Sequence, residues 1–328
     1  MTANFLSCFY CFFIKHAKLF SSSRLQIPHK GNTIYTFMKW EAYYPLTANS
    51  QKSDTIKCVT EYDTLRRVIL CQPEFMAIDE VINEVQKKYE DENIDKDRAM
   101  SQHAEFEKLL KENGVEVITL PSSEKYPEQV FTRDIGFTIG NEVFVADLAA
   151  NIRKGEEITL KEWLIAQDIP YQSASDRMEG GDIIVDRDTV YIGISSRTSE
   201  EAVSKLEEKL PDHKLKRIPF DGRYLHLDCV FNILSPEKAL IFPAAFDQET
   251  LHQLADSYQL IEVAEDEQFS LGTNVLSIGN GKVFSLPQNK KVNKDLRANG
   301  FEVIEVDFSE IIKSGGSFRC CSMPVERG

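Results

Sequence analysis

The sequence lacks an apolar run of membrane-spanning length: the stretch Phe5–Ile14 falls well short of the roughly 20 residues a transmembrane helix needs. That stretch also has no basic residue before it and no obvious small-residue cleavage site, which argues against a secretory signal. Basic side chains are in deficit, with 38 Lys and Arg against 52 Asp and Glu and a formal net charge of -14. Such a surface repels phosphate backbones and concentrates small cations, so a small cationic partner is expected and neither nucleic acid nor membrane is. Cysteine is sparse as well: seven residues, irregularly spaced and odd in number, exclude a disulfide framework and fit a reducing cytoplasmic compartment. Cys8 and Cys11 form a lone C-x-x-C without a second pair or a histidine at zinc-finger spacing, so no metal site is expected there, and no cofactor is implied elsewhere.

What is present is enough hydrophobic material, 42% of 328 residues, for a sizeable core. Met38 begins a polar segment that leads into the first clear strand, so residues 1–37 are expected to lie outside the fold. The corresponding division is an N-terminal extension over 1–56 and a single domain over 57–328.

From Cys58 onward a strand, turn, strand, helix, strand pattern repeats. Two apolar runs flank Gly140-Asn141 between Phe137 and Ala146, and two more flank Asn280-Gly281 between Leu276 and Ser285. The runs Ile183–Ile192 and Val230–Phe242 fit the same hairpin template. Helical segments are expected over Leu160–Gln167, Ser199–Leu210, Gln248–Tyr258 and Asn293–Asn299, the last closed by Gly300. Each is followed by another strand, near Tyr171, Leu215–Phe220, Leu260–Ala264 and Phe301–Val306. A long helical stretch from Ile78 to Asn113 leads in the same way to Val115–Leu120. A fifth unit closes if Arg67–Cys71 joins the C-terminal segment. The expected fold is therefore α/β, a five-bladed propeller of ββαβ repeats about a pseudo-fivefold axis.

The junctions between repeats hold Asp134, Asp182, Asp228, Asn274 and Cys320, about 46 residues apart. Equivalent positions converge on the axis, so these side chains become neighbours. A single cysteine is more often a small buried hydrophobe, and a single histidine a structural one. Here, however, Cys320, His226 with Asp228, Glu179 beside Gly180-Gly181, and Asp134 all fall at equivalent places. Two aspartates can hold the N–H groups of a planar guanidinium and leave its carbon open to attack. Cys320 is then the nucleophile, His226 the acid and base, and Glu179 the carboxylate that fixes the imidazole.

Phe131-Thr-Arg-Asp134, Glu179-Gly-Gly-Asp182, His226-Leu-Asp228 and Arg319-Cys320-x-Ser322-Met323-Pro324 resemble the arginine deiminase pattern of the pentein superfamily of guanidino-group-modifying enzymes. The overall size is more similar to the dimethylarginine dimethylaminohydrolases. The resemblance implies a hydrolase of linear amidines acting on arginine or an N-methylated arginine, with Asp134, Asp228 and Asp182 in the binding set. It places Arg197 on the substrate carboxylate and Arg153 as a second such group, with a solvated surface arginine as the alternative for each. It also allows a homo-oligomer. The chain departs from both families at Pro127-Glu128-Gln129, where deiminases have Asn and dimethylarginine hydrolases Asp after the proline.

Three rivals stand beside this reading: amidino transfer from the same intermediate to an amine, a non-catalytic binding protein of the same fold, and a zinc hydrolase using His226, Asp228 and a cysteine.

Overall fold

The computed structural model describes residues 55–328. The expected extension, with its Cys8 and Cys11, lies almost wholly outside the described residues; of it, Ile56 is buried and the carbonyl of Thr55 accepts from Arg67 Nη2 at 3.1 Å.

Five three-stranded sheets form the described residues' framework. In four of them an antiparallel hairpin is followed by a crossover and a third strand parallel to the second. These are β3 (Gly136–Ile139), β4 (Glu142–Val145) and β5 (Tyr171–Ser173); β6 (Ile183–Asp186), β7 (Thr189–Ile194) and β8 (Lys214–Pro219); β9 (Phe231–Ile233), β10 (Lys238–Ile241) and β11 (Gln259–Glu262); and β12 (Leu276–Gly279), β13 (Lys282–Ser285) and β14 (Glu302–Glu305). The fifth sheet is shared between the two ends of the fold. Its β1 (Leu65–Cys71) runs antiparallel to β15 (Met323–Arg327) and parallel to β2 (Glu116–Leu120). This is the five-bladed α/β architecture expected from the repeat.

Local chemistry explains the units. The β12–β13 turn places Asn280 at φ 53° and Gly281 at φ 72°, the pair of left-handed residues that matches strand twist in a two-residue hairpin. The crossover helices α3 (Glu157–Ala166), α4 (Glu200–Lys209), α5 (Gln248–Ala255) and α7 (Lys290–Ala298) start and stop within a few residues of expectation; a short α6 (Glu265–Phe269) lies between α5 and α7. Ser199 and Asp247 cap α4 and α5 by accepting from Ala202 N and Thr250 N.

The stretch Ile78–Asn113 departs from expectation, because it is not one helix. It contains α1 (Glu84–Tyr89) and α2 (Lys96–Glu112), separated at Asn93, whose φ of 58° breaks the helical run. The Asn93 side chain rewards that break by accepting from the Ile78 and Ile94 backbone N–H groups. Freed from the helix, residues before α1 pass over the junctions, where Asn83 Nδ2 donates to Ser314 O at 3.0 Å.

A large apolar cluster lies under α2, where the Phe106 ring meets Phe284, Phe308 and Phe318 at centroid distances of 5.2, 5.4 and 5.3 Å. Cys320 and Cys321 border this cluster. Across the blades runs the segment before β1: Lys57 bridges Glu326, Cys58 bridges Gly140, and Thr60 bridges Asp186. That path inserts Glu61 among the blades, where its carboxylate accepts from Arg133 Nη2 at 2.7 Å, Arg319 Nη1 at 2.8 Å and Val185 N at 3.1 Å.

Candidate active site

The junctions are short turns set immediately before the first strand of each sheet. Gly180–Asp182 forms a 3-10 turn ahead of β6, and Leu227–Cys229 forms another ahead of β9. Gly181 is required by packing: a Cβ there would sit 2.6 Å from His226 Nδ1 and 3.0 Å from Asp134 Oδ1. Gly316 likewise gives room to Cys320, since its Cβ would approach that of Cys320 to 2.9 Å and overlap the Phe131 ring.

His226 is fully buried, with Nε2 2.8 Å from Glu179 Oε2 and Nδ1 3.6 Å from Asp134 Oδ1. Burial alone would pull its pKa down, but Asp134, Glu179 and Asp182 outweigh it and hold the imidazole up at about 10. Glu179 shows the reciprocal effect: burial opposes its charge, yet His226, Arg153 and Arg197 bring it down to about 2. His226 Nδ1 and Asp134 Oδ1 both lack a hydrogen-bond partner. Such a facing pair of buried, unpaired polar atoms is costly unless a ligand completes it.

Asp228 is equally buried and 3.3 Å from Arg319 Nε. Burial raises its pKa, opposed by Arg319 and His226. The Cys320 sulfur lies 3.9 Å from both Asp228 oxygens. Asn274, at the fourth junction, fixes the cysteine loop by accepting from the backbone N–H groups of Ser317 and Cys320, each at 3.2 Å. Asp134 and Cys320 meet across a narrow cavity that Glu128, Phe131, Arg153 and Leu225 also line.

Several predicted residues sit differently from expectation. His226 and Asp228, though two residues apart, meet different partners, since the turn at Leu227–Cys229 sends one to Glu179 and Asp134 and the other to Arg319 and Cys320. Asp182 faces inward: its oxygens accept from Leu227 N at 2.9 Å and Ser195 Oγ at 2.7 Å, which ties two junctions together. Arg153 and Arg197 are buried, not solvated. Arg153 bonds Asp134 Oδ2 at 2.6 Å and Glu156 Oε2 at 2.8 Å, so its guanidinium is already engaged by carboxylates. Arg197 donates to Ile82 O at 2.9 Å and leaves Nη1 without a hydrogen-bond partner, 3.6 Å from Glu179.

Sequence reasoning gave no role to Glu61, Glu156 or Cys229, and only marked Glu128 as a departure. Burial drives Glu128 up to about 8 despite Arg153, and its carboxyl pairs with Gln86 Nε2 at 2.7 Å and Ser314 Oγ at 2.8 Å. As for a metal, the groupings of ligand atoms tight enough to hold one among the described residues are Asp228, Cys229 and Cys320, and Asp134, Glu179 and His226. The His226, Asp228 and cysteine set of the zinc reading is not one of them, and Arg319 and Arg153 already stand against these two carboxylate groups.

Known proteins share this arrangement of chain. Residues 72–327 match the family model described as N,N dimethylarginine dimethylhydrolase, eukaryotic. The uncharacterized protein YkgA of Bacillus subtilis (strain 168) is 52% identical over 272 residues, covering 83% of this chain and 95% of that protein. Arginine deiminase of Bacillus cytotoxicus is 30% identical over 256 residues, covering 61% of this chain and 62% of the deiminase. Among solved structures, the product-bound N-terminal domain of ArgZ, a cyanobacterial arginine dihydrolase, matches with a TM-score of 0.73 at 23% identity, covering 81% of this chain and 98% of that domain. SxtG, an amidinotransferase from Microseira wollei, has the same fold, with a TM-score of 0.73 at 18% identity over 83% of this chain and 97% of its own. With the family model matched over most of its length, this chain belongs to the N,N-dimethylarginine dimethylhydrolase family of the pentein superfamily.

Proposed function

We propose that the protein hydrolyses the guanidino group of arginine or an N-methylated arginine. The observation that carries this reading is the meeting of Cys320, the His226–Glu179 pair, Asp134 and Asp228 from separate junctions, with Asp134 Oδ1 and His226 Nδ1 left unpaired. The substrate guanidinium would donate its N–H groups to Asp134 Oδ1 on one side and to Asp228 on the other.

The Cys320 sulfur, as thiolate, bonds to the central carbon. His226, held protonated by its carboxylate neighbours, gives a proton to the departing nitrogen, and ammonia or a methylated amine leaves. The carbon stays bonded to sulfur as a thiouronium. Neutral His226 then takes a proton from water, the resulting hydroxide adds to the carbon, and the thiolate departs with a ureido product, citrulline when the substrate is arginine. Glu179 orients the imidazole through Nε2, which leaves Nδ1 for the transferred proton. Arg197 supports the reading as a buried guanidinium beside Glu179 whose Nη1 makes no hydrogen bond.

The test is a ureido-product assay over arginine, its methylated forms and agmatine, run beside Cys320→Ser. The expected result is turnover of at least one guanidine by the intact protein and none by the variant; no turnover of any would sink the proposal. An added amine acceptor that captures the amidino group in place of water would assign transfer instead.

A further inference from the structure

The Asp228 carboxylate has two thiol neighbours. Cys320 approaches it at 3.9 Å, and Cys229, the next residue in the chain, lies 3.6 Å from Oδ1. The two sulfurs are within 4.8 Å of one another, although the residues come from different blades. From this juxtaposition we propose that Cys229 is a resolving thiol for Cys320, and that the pair closes into a reversible disulfide when the protein meets a peroxide.

The step balances without a metal or a cofactor. The Cys320 thiolate attacks one peroxide oxygen, the O–O bond breaks, and Cys320 becomes a sulfenic acid with release of hydroxide. Cys229 sulfur then attacks the sulfenic sulfur, the S–O bond breaks, and the S–S bond forms. The Cys229 proton and the sulfenic hydroxyl leave as one water, the hydroxide released in the first step takes a proton from solvent to become the second, and two electrons have passed from the thiols to the peroxide. Closing from the observed separation to a bond of about 2.05 Å asks for rotation of both side chains, a small movement for residues on facing turns.

Access and competition favour this pair. Cys229 lines a cavity of about 300 Å³ together with Tyr224, Phe242 and Gln268, while Cys320 lines the narrower one beside it. Asn83, Leu225 and Gly315 border both cavities, so an oxidant in either space stands next to one of the sulfurs. Cys321 adjoins Cys320 in sequence, but a disulfide between chain neighbours closes a strained small ring. Cys229 also stays out of the hydrolytic chemistry: Cys320 beside it, together with burial, raises its pKa well above the ordinary thiol value, so its proton leaves only as the S–S bond forms.

The full chain is treated with hydrogen peroxide, its remaining thiols are alkylated, and non-reduced peptides are mapped by mass. The expected product is a linked peptide pair containing Cys229 and Cys320, with two fewer alkylated thiols and complete reversal by dithiothreitol. In Cys229→Ser the same treatment should drive Cys320 to sulfinic acid, which dithiothreitol cannot restore. Sulfinic acid on Cys320 of the unaltered protein, or a link between Cys320 and any other cysteine, overturns the proposal. If Cys229→Ser does not fold, the peptide map of the unaltered chain decides alone. The readout is mass, so the outcome is separate from whether the protein hydrolyses guanidines.

Discussion

The junction cluster and the apolar core beneath α2 are equally dry and opposite in chemistry. Phe106, Phe284, Phe308 and Phe318 gain from leaving water and from edge-to-face and stacked contacts. Asp134, Glu179, His226 and Asp228 lose hydration and replace it largely through one another and through arginines. The core is arranged for stability; the junctions carry a cost, with Asp134 Oδ1 and His226 Nδ1 left without hydrogen bonds, that a ligand in the proposed site would offset. The contrast can be tested by asking which side of the ledger each substitution moves.

The largest effect expected is on rate. His226→Ala should lower kcat by roughly 10²–10⁴-fold, with a substrate adduct accumulating on Cys320 in intact-mass spectra. An adduct on Cys321 would move the nucleophile by one residue. On the apolar side, Phe106→Ala should cost about 3–5 kcal/mol in urea unfolding and leave kcat near normal at temperatures where the protein stays folded. A loss of activity without a loss of stability would break the comparison.

Glu61 sharpens it, because it is charged but behaves as core. Its removal in Glu61→Ala leaves Arg133 and Arg319 buried without their shared carboxylate, and the expected loss is again about 3–5 kcal/mol in denaturant unfolding.

The last effect is a slope with pH and concerns Glu128. Its folded pKa of about 8 exceeds the unfolded 4.5, so between these values the unfolded chain has released a proton that the folded chain retains. Stability therefore falls as pH rises through that window, on the order of 1 kcal/mol per unit. Glu128→Gln should remove that slope, so melting curves at pH 5 and pH 8 should lie closer together than in the unaltered protein. An unchanged difference would show that the other raised carboxyls, Glu156 at about 7 and Asp182 at about 6, carry the dependence.

The blades were legible because alternation, turn residues and a regular period all repeat, so an error in one unit is corrected by the others. The same register made the convergence of Asp134, His226, Asp228 and Cys320 foreseeable. Features outside the repeat were not. Asn93 interrupts a helical pattern that its neighbours support, and only its tertiary bonds to Ile78 reveal why. Glu61 belongs to a segment that precedes the first repeat. Arg153 has the sequence position expected for a ligand contact, but its orientation depends on Glu156 one helical turn later, a competition between carboxylates that spacing cannot resolve.

The fifth blade, shared between β1, β2 and β15, has a consequence for assembly in time. Arg66 bonds to the carbonyl of Gly328 across 262 positions of chain. Four blades can form from contiguous sequence as it emerges from a ribosome, but β1 must wait with one edge unpaired until β15 exists. Closing so long a loop is slow. Cys320, the proposed nucleophile, lies just before that strand, so on this proposal chemical competence waits until the ring is shut.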